Sequence, residues 1–152
     1  TWLMASIIFI VAIISDMLDG YAARALDQTS ALCGLFDHAT DAIFVCAGLA
    51  CIAMEGSVTQ WLPPLVILSF IQYALDSKAL SGQKLVSSVI GRSNGIAYFV
   101  LLGCAVGSKT LGLDSNVFSL IILIASWILC LSTIISMFDR AIALWRSSRN
   151  AT

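Results

Sequence analysis

Apolar residues run along this chain in long, nearly unbroken stretches rather than in alternating or one-faced patterns. Five stretches approach the roughly 20 residues that a helix needs to cross a bilayer core: Trp2–Ala25, Ser30–Met54, Val58–Leu75, Asn94–Gly107 and Val117–Phe138. A helix that is hydrophobic all round belongs in lipid or in a deep core. The third stretch carries Pro63-Pro64 near its start, where proline is tolerated because first-turn N–H groups lack intrahelical partners anyway. The fourth is short unless it extends back past Gly91. No long linker, low-complexity tract or internal repeat interrupts the pattern. Residues 1–152 therefore read as a single all-α domain, a polytopic transmembrane bundle of five spans.

Composition sharpens this picture. Of 152 residues, 59% are hydrophobic and 11% charged, against the roughly 25% charge typical of a soluble domain, and mean hydropathy is +0.95. The expectation is a multi-pass integral membrane protein surrounded by membrane lipids. A formal net charge of −1 argues against nucleic acid as a partner, since phosphate binding needs a basic face. Cys33, Cys46, Cys51, Cys104 and Cys130 all lie in apolar stretches without a C-x-x-C pair, so they read as packing residues rather than a disulfide framework or zinc site. The chain opens at Thr1-Trp2-Leu3, already inside an apolar run that ends in aspartates rather than in a small-residue cleavage site. That pattern does not suit a signal peptide, and the expectation is a chain cut from a longer protein.

Orientation follows from the basic residues. If the first span ends in the cytoplasm, that side holds Arg24, Lys78, Lys84, Arg92, Arg140, Arg146 and Arg149, and the opposite side holds only Lys109. This distribution obeys the positive-inside rule.

Four aspartates break the apolar pattern of the first two spans. Ionisable groups at such positions are costly and mark function. Asp16 and Asp19, at i and i+3, share one helix face; Asp37 and Asp41, at i and i+4, share another. The connection between the two helices centres near Gln28, so equal rise along an antiparallel pair levels Asp19 with Asp37 and Asp16 with Asp41. Four carboxylates at one depth repel and take up protons unless a cation joins them. Oxygen ligands suit a hard divalent ion, Mg²⁺ or Mn²⁺, and four of them suit two ions.

The stretch Asp16-Met-Leu-Asp19-Gly20-Tyr-Ala-Ala23-Arg24, followed by Asp37 and Asp41, resembles the signature of the CDP-alcohol phosphatidyltransferases, D-x2-D-G-x2-A-R-x8-G-x3-D-x3-D. The acidic spacing matches throughout residues 16–41. The rest of the chain matches in hydropathy and helix number; the resemblance implies six spans in the intact protein, and the expectation is a chain that lacks the first helix and the amphipathic segment before it. Two positions differ. The second signature glycine falls on Cys33, four residues before Asp37, which puts a side chain on the carboxylate stripe. His38 takes a place often held by proline; about 100° round the helix from Asp37, it reads as a packing or interfacial residue.

The resemblance implies a metal-dependent transferase of phospholipid biosynthesis. Its donor is a CDP-linked lipid such as CDP-diacylglycerol. A small alcohol attacks the lipid-side phosphorus, and CMP leaves. It implies Asp16, Asp19, Asp37 and Asp41 as metal ligands, with Asp41 also accepting the alcohol's proton, and Gly20, Ala23, Arg24 and Ser30 as donor-binding positions. The physical chemistry agrees: divalent cations neutralise a diphosphate, Gly20 admits close approach to the backbone, and Arg24 offers a planar fork for phosphate. Lys84 and Arg92, the latter in an expected Gly91–Gly95 turn, are candidate contacts to an acceptor's phosphate, which favours glycerol 3-phosphate or an inositol phosphate.

Three other classes fit the aspartates less well. An aspartate-rich membrane prenyltransferase wants a second acidic motif, whereas Glu55, Asp76, Asp114 and Asp139 stand singly. A cation transporter leaves Gly20 and Arg24 unexplained and wants broken, repeated helices. A non-catalytic relative is the reading that Cys33 keeps open. The resemblance also implies a homodimer with one complete site per protomer. Gly103 and Gly107 could face either a partner or another helix of the same chain.

Overall fold

A computed structural model of the chain describes residues 1–25, 31–76, 89–113 and 115–149, without the side chains of 22–25, 31–33, 89, 144 and 146–148. It consists of five helices: α1 (Trp2–Ala25), α2 (Ala31–Met54), α3 (Leu62–Asp76), α4 (Val89–Leu111) and α5 (Asn116–Arg149). No strand occurs among the described residues. Four helices are long and apolar enough to cross a membrane, and α3, with 15 residues, is a shorter apolar helix. Outward-facing Leu3, Ile7, Val11, Ile14 and Leu18 are each more than half exposed on α1. In lipid, such a face has nothing to escape from.

Local chemistry sets the helix ends. Gly56 and Gly112 adopt left-handed conformations, with φ of 78° and 65°, which glycine reaches without steric cost. The Leu113 N–H then closes onto the Ser108 carbonyl at 2.9 Å, the six-to-one bond that ends α4. Ser115 accepts the Phe118 N–H at 3.2 Å and caps α5. The third span differs from the expected Val58–Leu75. Pro63 and Pro64 fix the first turn, so helix begins only at Leu62. The buried residues Ser57, Val58 and Thr59 precede it, with the Thr59 N–H donating to Ser126 Oγ of α5 at 3.1 Å.

The fourth and fifth helices outrun their apolar stretches. The α4 helix begins at Val89, so Gly91–Gly95 is helix and not the expected turn. Two glycines weaken a helix by about 1 kcal/mol each, but neighbouring helices hold this one. Asn94 is buried and accepts from Ser132 Oγ at 2.6 Å, and the Tyr98 and Thr133 hydroxyls hydrogen-bond across α4 and α5. The α5 helix continues past Phe138 to Arg149. Its 34 residues span about 51 Å at 1.5 Å per residue, well beyond a hydrocarbon core of about 30 Å.

Helix α4 is the hub. It packs on α1, α2 and α5, while α3 packs on α2 and α5. Leu49, Ile52, Leu62, Val66, Leu101 and Leu102 lead the core between them. Gly103 faces Phe9 of α1, and a Cβ there would sit 3.0 Å from the ring, whereas a Cβ on Gly107 would meet nothing within 4 Å. Of the two glycines, Gly103 serves packing within the chain. Ser6 and Thr110 join the opposite end of the same contact through a 2.6 Å hydroxyl pair. Helix α1 thus runs antiparallel to α4, and it does not pack backbone to backbone on α2 among the described residues. The chain reverses at each connection, so the C-terminal ends of α1 and α3 lie at the same end of the bundle as the N-terminal ends of α2 and α4.

Candidate functional site

That shared end collects the polar residues that the apolar pattern could not explain. Asp16 and Asp19 lie in the second half of α1, and Asp37 and Asp41 in the first half of α2. Because α1 and α2 diverge, the carboxylates border a cleft instead of a helix seam. This cavity, about 420 Å³, is lined by Asp16, Asp19, Asp37 and Asp41, with Phe44 and Phe99 on the apolar side. Phe44 stacks on Phe9 of α1 at 6.2 Å between centroids and on Phe99 of α4 at 6.4 Å. This three-ring stack spaces the helices apart beside the acids.

The four carboxylates expected to converge line one cavity, on two helices that make no direct backbone contact among the described residues. Equal-rise counting set Asp19 level with Asp37 and Asp16 with Asp41 on an adjoining helix pair. The divergence of α1 from α2 removes the side-by-side geometry that the counting assumed. Carboxylates gathered on one cavity repel one another, and a divalent cation among them would offset that repulsion.

His38, expected as a packing or interfacial residue, is exposed and stands beside two carboxylates. One ligand atom each from Asp37, His38 and Asp41 lies within 4.8 Å of the others, a spread that a divalent cation can draw together. The donor set therefore fits a hard or borderline divalent ion, with carboxylate oxygens in the majority and one imidazole nitrogen at the margin. The His38 ring also meets Tyr73 of α3 edge-on, at 5.9 Å between centroids. Thr40 spends its hydroxyl on its own helix, bonding the Asp37 carbonyl at 2.8 Å.

A second, larger cavity of about 600 Å³ adjoins the first between α2, α3, α4 and α5. Arg92, Arg140, Tyr73 and His38 provide its polar wall, and Gly91 and Gly95 thin the α4 side. A Cβ on Gly95 would meet nothing within 4 Å, so its absence widens the space. Asp41 and Phe99 line both cavities. Asp41 is half-buried, whereas Asp16, Asp19 and Asp37 are exposed.

Arg140 and Tyr73 were not legible as site residues from sequence. Arg140 counted only towards topology, and it reaches the cavity because α5 stays helical beyond its apolar run. Its Cζ lies 4.9 Å from the Tyr73 ring centroid, a contact between distant parts of the chain that no spacing announces. For His38 a signal existed: it stands at i−3 from Asp41 and so shares its helix face. Gly20, Ala23 and Arg24 continue α1 beyond Asp19, but the side chains of Ala23, Arg24 and Cys33 are not described. Ser30, Lys78 and Lys84 lie outside the described residues.

The family model for CDP-alcohol phosphatidyltransferase matches residues 1–143. No curated protein and no solved structure matches the chain.

Proposed function

The chain belongs to the CDP-alcohol phosphatidyltransferase family, and from that premise we propose that it moves a phosphatidyl group from a CDP-linked lipid, such as CDP-diacylglycerol, to a phosphorylated small alcohol. Family membership establishes the coarser frame: an integral membrane transferase acting on a CDP-alcohol, in a family that is generally dependent on divalent metal. The observation that carries the finer reading is that Asp41 borders two cavities at once. One is acidic, and the other holds two guanidiniums, Arg92 and Arg140. A metal-held diphosphate belongs in the first, and an anionic acceptor belongs in the second.

In this reading Asp16, Asp19, Asp37 and Asp41 hold two Mg²⁺ or Mn²⁺ ions. Bound there, the ions supply the positive charge that a diphosphate and its leaving group require. Gly20, Ala23, Arg24 and Ser30 border the donor. Asp41 accepts the proton of the acceptor hydroxyl as its oxygen bonds to the lipid-side phosphorus. The bond from that phosphorus to the CMP oxygen breaks, and CMP leaves with the electron pair. The donor's acyl chains stay in lipid beside the exposed face of α1. The excess of basic residues along this side of the sequence supports a site facing the cytoplasm, with the whole chain acting as one domain.

Glycerol 3-phosphate and inositol phosphates are the acceptors that Arg92 and Arg140, with Lys84 from the adjoining segment, suit best. A guanidinium fork reads phosphate in two directions at once. CMP release from CDP-diacylglycerol, measured across a panel of phosphorylated and neutral alcohols, tests the function directly. Phosphorylated acceptors are expected to be turned over preferentially. Arg92→Ala should raise the acceptor KM about tenfold or more, the scale of one charge-assisted hydrogen bond, and leave the donor KM nearly unchanged. Preference for neutral alcohols, or equal effects on both KM values, would return Arg92 to a topological role.

The family resemblance favours a homodimer, and because all four aspartates come from a single chain, each protomer would carry one complete site. Gly103, occupied by Phe9, contributes little to the interface. Mixing Asp41→Asn chains with Asp16→Asn chains should therefore restore no activity. Recovery in the mixed dimer would mean that the sites are shared.

A further inference from the structure

Part of the polar wall of the larger cavity comes from three helices that meet at one ring. Tyr73 of α3 is 8% exposed. Arg140 of α5 lies over its face at 4.9 Å from the centroid, and His38 of α2 meets it edge-on at 5.9 Å. Phe70 borders the same ring at 6.4 Å and backs it on its own helix. Both Arg140 and His38 line the cavity that Asp41 borders. We propose that Tyr73 is a positioning residue that holds Arg140 over the acceptor cavity and His38 at its acidic edge. The inference rests on the acceptor reading given above and adds to it the group that keeps the wall in place.

The need for such a residue is physical. An arginine carries a long, rotamer-rich side chain, and one near the end of a membrane span has lipid phosphates within reach as alternative partners. A planar guanidinium over an aromatic face is attracted by the ring quadrupole. That contact keeps Arg140 turned inward before the acceptor arrives, so less ordering remains to be done on binding. The edge contact does the same for His38, whose ring atoms stand within 4.8 Å of ligand atoms on Asp37 and Asp41. One ring thereby fixes the acceptor wall relative to the carboxylate that takes the proton.

The test separates ring, hydroxyl and charge in the full chain, purified in detergent and reconstituted in vesicles. Tyr73→Met keeps bulk and removes the ring, Tyr73→Phe keeps the ring and removes the hydroxyl, and Arg140→Lys keeps charge and removes the planar fork. Acceptor and donor KM are measured for each, with inorganic phosphate binding by calorimetry as the readout independent of turnover. Tyr73→Met is expected to raise the acceptor KM and the phosphate Kd about tenfold, within the range of a desolvated cation–π contact, at nearly constant donor KM. Arg140→Lys should do the same, and the double variant should add little to either single one. Tyr73→Phe should remain within about threefold of wild type, since the ring quadrupole survives. Unchanged acceptor KM and phosphate Kd in Tyr73→Met would overturn the proposal. So would equal damage to donor and acceptor KM, additive effects in the double variant, or a Tyr73→Phe variant as impaired as Tyr73→Met. If the wild-type chain uses only neutral alcohols, the phosphate reading falls by itself, and Tyr73 is judged on that acceptor's KM by the same criteria.

Discussion

Replacing Asp41 by asparagine should abolish turnover while leaving most of the donor affinity. The substitution keeps size and polarity but removes the basic oxygen. Of the four aspartates, Asp41 alone borders both cavities, so its carboxylate is the one placed between a donor on the acidic side and an acceptor on the arginine side. Loss of a positioned general base lowers rates by about 10²–10⁴-fold. Loss of one carboxylate from a set of four still leaves Asp16, Asp19 and Asp37 to hold a cation against the donor's diphosphate. The expected signature is thus a collapse of kcat with a modest change in donor binding, read by CMP release and by direct binding of the CDP-linked lipid. Asp19→Asn provides the comparison, because Asp19 lines only the acidic cavity; it should weaken metal and donor together. An Asp41→Asn chain retaining more than a few per cent of wild-type rate would remove Asp41 from the role of base.

How much of this was legible before the fold is best seen at particular residues. The first two spans were readable almost to the residue, because apolar runs of 24 residues leave helix as the one way to satisfy every backbone group in lipid. The four aspartates were readable too, since each contradicts its surroundings and their spacing follows the helical period. The start of α3 was misplaced because hydropathy is blind to the backbone restriction that Pro63 and Pro64 impose on the residues before them. The extent of α4 and α5 was underestimated for the opposite reason: charge ends an apolar run but does not end a helix. Arg92 and Arg140 both sit in those unexpected extensions, which is why the larger cavity was half-visible at best. The Arg140–Tyr73–His38 contact was not legible at all, since it depends on how α2, α3 and α5 pack, and no single helix carries the information.

Removal of divalent metal should silence the enzyme completely and reversibly. Four carboxylates border one cavity of about 420 Å³. A divalent cation held among these oxygens would offset their mutual repulsion and present positive charge to a diphosphate. Adding EDTA in excess to the full chain should therefore bring CMP formation to background. Mg²⁺ or Mn²⁺ should restore it, at a concentration that rises as pH falls, because protons and metal compete for the same oxygens. Mn²⁺ also offers a readout separate from turnover: its paramagnetic resonance signal should broaden on binding, and Asp37→Asn should weaken that binding by tenfold or more. The asparagine retains an oxygen donor but loses the charge that offsets the ion's dehydration. His38→Gln should weaken Mn²⁺ binding less, since His38 stands at the edge of a mainly oxygen donor set. Undiminished turnover in excess chelator is the result that would sink the metal-dependent mechanism, whatever the aspartate variants did.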